Sequence, residues 1–227
     1  MKPVSVELIT IMIVLLSAAD LSGLPKPHVV AFGKVTTVKW LVGPNETQAV
    51  DLRVRALFVD TRLKEYTTGA PHEVTDRLFV VRRVFRLNDS LPDENATTPR
   101  WHWQRGGWLL VDRVTGKVSQ INLAEFDPLY SASNWYRDYI AYCGVSDDGK
   151  KLTAVVAQLG RRKPFLKKPL GDPDLDDMPD SGCEVPTWQR QPMRVTFQAG
   201  DAQKLTFTVR GHIIDLVNDQ EDEEGSD

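Results

Sequence analysis

From Val50 to Val59 apolar and charged residues alternate. Leu52, Val54, Ala56 and Phe58 point one way, and Arg53 and Arg55 point the other. A two-residue period marks a half-buried antiparallel strand, and no stretch of the chain shows the 3.6-residue repeat of a long helix. His28 to Val42 is β-branched and aromatic, with Gly33 as a candidate bulge. Leu78 to Leu87 reads as a further strand, with Arg82, Arg83 and Arg86 among its exposed candidates. Three hairpins follow, turning at Thr115-Gly116, at Asp148-Gly149 and at Ala199-Gly200-Asp201. Between the first two, Leu123 to Trp135 has room for one short helical turn. The expectation is an all-β chain of about ten mostly antiparallel strands in hairpins. A β-sandwich, a barrel or a small propeller-like meander would each satisfy the pattern.

The N-terminal segment is of another kind. Leu8 to Ala19 is an uncharged, almost wholly apolar run behind Lys2. It is shorter than the roughly 20 residues that span a bilayer as a helix, and it matches the core of a secretory signal. Ser17 and Ala19 place small residues at a cleavage site, so Asp20 is the expected mature N-terminus, and Pro25 and Pro27 stop any helix beyond it. The organisation expected is a signal peptide over 1–19, a single β domain over 20–217 and an acidic, disordered tail over 218–227. Such a product is exported, periplasmic or extracellular, with no transmembrane segment after cleavage. In an oxidising compartment Cys143 and Cys183, the only cysteines, are expected to pair. Asn45, Asn88 and Asn95 head glycosylation sequons if the chain is eukaryotic.

The net charge of −3 hides a division. The tail holds six acids in ten residues, and the proline-rich loop from Pro169 to Gly182 holds five aspartates. Without them the remaining body is basic, with a stripe at Arg161, Arg162, Lys163, Lys167 and Lys168. That stripe suits a polyanion or a partner protein. No specific signal for nucleic acid is present.

Catalytic patterns are lacking. There is no Gly-x-Ser-x-Gly and no His-Glu-x-x-His, and the four histidines, His28, His72, His102 and His212, are scattered. Asp172, Asp174 and Asp176 open with calcium-loop spacing, but Asp177 stands where glycine belongs and Cys183 where glutamate belongs. No metal or cofactor is expected. The most suggestive cluster is aromatic: Trp101, Trp103 and Trp108 fall within eight residues, beside Arg100 and Arg105. Trp101 and Trp103 share one face of a strand. Exposed, they would stack on a sugar ring or an extended ligand; buried, they would fill the core.

Two resemblances rest on the central sequence. Trp108 to Asp112, Thr115-Gly116-Lys117 and the turn from Ser146 to Lys150 resemble the blade repeat of TolB-like β-propellers, over about residues 107–159, with Asp147 where proline is usual. The run from Trp135 to Lys150 also resembles uncharacterised bacterial exported proteins. The second resemblance implies export and nothing about chemistry; the signal, the β architecture, the tryptophan cluster and the lack of catalytic patterns point to an exported, non-catalytic binding or structural module, with a carbohydrate or an envelope polyanion as candidate ligand. The alternatives are an exported hydrolase assembled from distant residues, with His102 and nearby acids, and a partner protein acting through its basic stripe.

Overall fold

The computed structural model describes residues 27–42, 48–88, 101–146, 150–171, 183–199, 204–210 and 213–216. The expected signal segment, Asn45, Asn95, Arg100, the Asp148-Gly149 and Gly200-Asp201 turn residues, residues 172–182 of the acidic loop, His212 and the tail lie outside them, while Pro169 to Gly171, expected in that loop, end a strand instead. The described residues form fifteen strands. These are β1 (Val30–Phe32), β2 (Thr36–Val42), β3 (Gln48–Val59), β4 (Arg62–Glu73), β5 (Leu78–Asn88), β6 (Trp101–Asp112), β7 (Val118–Ile121), β8 (Ser133–Tyr136), β9 (Tyr139–Val145), β10 (Leu152–Gln158), β11 (Leu166–Gly171), β12 (Thr187–Gln189), β13 (Arg194–Phe197), β14 (Leu205–Arg210) and β15 (Ile213–Leu216). The all-β, hairpin-built expectation holds. The strand count exceeds ten partly because the run from His28 to Val42 divides at Gly33 into β1 and β2. The segment from Leu123 to Trp135 holds turns and the start of β8 rather than a helical turn.

β2 to β6 pair in chain order, except that β6 also meets β2. Five strands of a meander alternate in direction, so the first and fifth run the same way and can close only as a parallel pair. That closure is the bridge between Trp40 and Trp103, and it makes the circuit a barrel. Trp40, Val42, Leu52, Val54 and Val84 are buried together against it, with Tyr66 and Trp103 packed alongside. β1 adds to β3, and β7 to β6. Both faces of β5 are covered, because Phe79 and Val81 join Leu57, Leu109 and Val111 in a second cluster on its other side.

Two more antiparallel sheets follow, β8 to β11 and β12 to β15, each a simple meander. Their faces stack. Val80, Trp108, Leu110 and Ile121 of the first sheet pack on Ile140, Tyr142, Val155 and Ala157 of the second. Ala141, Cys143, Ala154 and Val156 on the reverse face pack on Val195, Phe197, Phe207 and Val209 of the third. The second sheet is therefore buried on both sides, which is why β9 and β10 read as apolar runs instead of alternating. Each such side chain withdrawn from water contributes about 1.5–3 kcal/mol. The Tyr142 hydroxyl donates to the Ala124 carbonyl at 2.6 Å, and burial pushes its ionisation above the ordinary range.

At the Thr115-Gly116 turn, the Asp112 carboxylate accepts from Val114 and Thr115 amides and pairs with Arg77, which holds its proton affinity well below the usual carboxylate range. Gly116 takes φ +63°, and a Cβ there would meet the His28 ring at 2.8 Å and Val59 at 2.9 Å, so both conformation and space demand glycine.

Cys143 of β9 and Cys183, just before β12, form a disulfide with Cα atoms 6.5 Å apart, and both are buried. It links the second sheet to the third. Replacing both cysteines by serine should lower stability by about 2–4 kcal/mol. Urea unfolding of the variant, and of the native chain with and without reductant, checks this. An unshifted midpoint in both would remove the bridge from the account.

Candidate functional site

The functional cluster expected from the sequence lies on β6, and a bulge decides how its side chains are arranged. Arg82 opposes Trp108 and Val84 opposes Arg105, so Gly106 and Gly107 on β6 together face the single residue Arg83. One extra residue reverses the alternation. Trp101, Trp103, Arg105 and Trp108, which a regular strand would divide, all project from one face, beside Asn88, Arg86, Val84 and Arg82 of β5. Gly106 packs closely at the bulge: a Cβ there would lie 3.2 Å from the Arg83 Cβ and 3.3 Å from the Phe85 ring.

Along that face the residues have different fates. Trp101 is 56% exposed. Trp103 is half-buried, edge-on to Tyr66 with ring centroids 5.1 Å apart, and belongs to the barrel cluster. The Arg86 guanidinium lies 5.5 Å from the Trp101 ring centre and 5.4 Å from that of Trp103, a cation–π ladder. Arg105 sits 4.7 Å over the Trp40 ring. Trp108 stands edge-on to Trp135 in the stack between the first two sheets.

Arg82, expected at the surface, is instead 7% exposed. Adjacent arginines on a strand face opposite ways, and both faces of β5 are covered. Arg83 finds Glu65 at 3.0 Å on one side. Arg82 is left between Val80 and Val84 on the other, 4.5 Å over the Phe126 ring.

Arg82 and Arg105 line a cavity of about 600 Å³ with Trp108, Thr68, Tyr130, Ser133, Cys183 and the exposed Glu184. Its walls come from β3, β4, β5 and β6 of the first sheet, the Asp127–Ala132 turn, the start of β8 in the second, and the segment that precedes β12. Arg82 Nη2 donates to the Pro128 carbonyl at 2.9 Å; Arg105 Nε donates to the same oxygen at 3.1 Å and its Nη2 to Leu129 at 2.9 Å. Arg82 Nε is buried and has no hydrogen-bond partner among the described residues. Neither arginine is within ion-pair distance of a described carboxylate. Asp127 exerts only a longer-range attraction, its Oδ1 being taken by the Leu129 and Tyr130 amides. Burial first, and then the charge of Arg105, pull the Arg82 guanidinium down to about 9, and burial lowers Arg105 as well. Two cations are thus held side by side with no described carboxylate in ion-pair contact, Glu184 lying exposed on the same lining, an arrangement that an anion relieves.

The histidines do not converge. His28 Nδ1 meets Asp60 Oδ2 at 2.5 Å, but on the open surface, where Asp60 also accepts from the Val29 amide and ties β1 to the β3–β4 turn. His72 Nε2 bonds the Arg137 carbonyl and its ring stacks on Trp135. His102 is on β6, on the face opposite Trp101 and Trp103. Among the described residues no three histidine, cysteine or acidic side chains gather as metal ligands, and no helix is long and apolar enough to cross a membrane.

No family model matches the chain, and no curated protein or solved structure matches it either.

The two tryptophans expected to act together should separate on mutation. Trp101→Ala should change stability by no more than about 0.5 kcal/mol, and Trp103→Ala should cost about 2–3 kcal/mol. Equal losses in thermal or urea unfolding would contradict the division.

Proposed function

We propose that the chain is an exported, non-catalytic binding module for anionic ligands, with Arg82 and Arg105 as its anchoring residues. One observation carries this reading: the buried Arg82 and the half-buried Arg105 face one cavity, and no described carboxylate is in ion-pair contact with either, Glu184 on the same lining being exposed. Structural arginines inside a protein are ordinarily paired, because an unpaired buried charge costs several kcal/mol. Three further clefts among the described residues agree in sign. One holds Arg53 and Arg55, one Arg137 and Arg190, and one Arg161 and Arg162. Export is supported by the apolar run from Leu8 to Ala19 and by the disulfide.

Titration calorimetry with inorganic phosphate and with citrate tests the site. Binding should weaken steeply with added sodium chloride. Arg82→Met and Arg105→Met should each lower affinity by at least about tenfold. Because Arg82→Met removes an uncompensated charge, it should leave the melting temperature unchanged or raised. Absence of binding, or a variant that loses stability while keeping affinity, would return both arginines to the role of pinning the Asp127–Ala132 turn. Mass spectrometry of the secreted chain should find Asp20 at its N-terminus.

A second reading is favoured by Trp101, whose ring is open to solvent above Arg86. A carbohydrate ring stacked there would be lost in Trp101→Ala, with no change in phosphate or citrate binding.

A further inference from the structure

A second cleft, of about 450 Å³, opens between β7 and the turn joining β10 to β11. It is built unlike the first. Its floor is apolar: Leu110, Ile121, Leu123, Trp135, Ile140 and Leu159 line it. Leu110, Ile121, Leu123 and Leu159 are only half-buried, so the packing between the first two sheets is left unfinished along this margin. β7 has a single hydrogen-bonded neighbour, β6, and ends the first sheet there. The rim is cationic. Arg161 and Arg162, both exposed, follow Gly160, whose φ of +83° turns the chain so that the pair borders the cleft. Arg161 rests 4.5 Å over the Phe165 ring, and Arg162 makes no ion pair among the described residues. Trp135 is 7% exposed, and its indole N–H is buried with no hydrogen-bond partner among the described residues.

We infer that this cleft binds a small amphiphilic organic acid, with its hydrocarbon body on the Leu110–Trp135 floor and its carboxylate between Arg161 and Arg162. The volume lies within the range of small-molecule sites, which combine an apolar lining with a few placed polar groups. The half-buried aliphatic side chains gain by being covered, and two adjacent guanidiniums select a single anionic end. An extended peptide suits the place less well, because the four residues of β7 offer too short an edge for strand addition. This site is separate from the cavity of Arg82 and Arg105, with which it shares no lining residue.

The native chain should bind the fluorescent sulfonate 8-anilino-1-naphthalenesulfonate with one-to-one stoichiometry, and decanoate should displace it. Inorganic phosphate at the same concentration should not. The double variant Arg161→Gln, Arg162→Gln lies on an exposed turn and should keep the native melting temperature while its affinity for both probes falls by about tenfold. Arg82→Met should leave both affinities unchanged, so this inference and the phosphate site can fail independently. The inference is overturned if the folded protein does not bind the dye, if phosphate displaces it as well as decanoate, or if the double variant binds as tightly as the native chain.

Discussion

The pairing of β5 with β6 is the contact on which the other elements depend. These two strands belong to the closed barrel at one end and to the stack of sheets at the other. Their shared face runs from the barrel cluster at Val84 and Trp103 to the inter-sheet cluster at Val80 and Leu110. The bulge at Gly106 and Gly107 keeps that face continuous. Without it Trp108 would turn away from Arg105, and the apolar surface that receives the second sheet would be broken.

Where the two clusters meet, the chain places charge. Arg82 and Arg105 occupy the gap between barrel and stack, and the Asp127–Ala132 turn closes over them through the Pro128 and Leu129 carbonyls. Those neutral acceptors hold the guanidinium planes in place without neutralising them. A carboxylate in that position would have made an inert internal ion pair; Asp127 instead spends its oxygen on the turn. The result is a rigid, positively charged wall supported by side chains that are themselves packed, which is how a binding site is preorganised.

The second sheet acts as a spacer with two apolar faces, and the disulfide fixes its distance from the third. Cys183 also lines the arginine cavity, so the covalent link that stabilises the stack sets one wall of the site. The margin of the same stack, at β7 and the Gly160 turn, is where side chains remain half-covered and arginines stand at the rim. Both clefts therefore arise from the way three sheets meet, one at the centre of the contact and one at its edge.

Much of the architecture was legible in the sequence. The alternation at Leu52 and Val54, the Thr115-Gly116 turn and the pairing of Cys143 with Cys183 follow from local pattern and simple counting. Trp101, Trp103, Arg105 and Trp108 were recognisable as a cluster because they crowd one short segment. Arg82 was not, since an arginine in an alternating strand reads as solvent-facing until both faces are known to be covered. The clue available was its neighbour: Arg82 and Arg83 cannot share a face, so one of them had to lie with Val80 and Val84. By itself, then, the sequence determined the all-β class, strands such as β3 and β5, the Thr115-Gly116 turn and the covalent link, because these depend on residues close in the chain or on chemistry carried by two cysteines. Only the tertiary structure decided which arginines are buried, which tryptophan is open and where the clefts lie, because burial depends on which faces meet, and β5 meets different elements on its two sides.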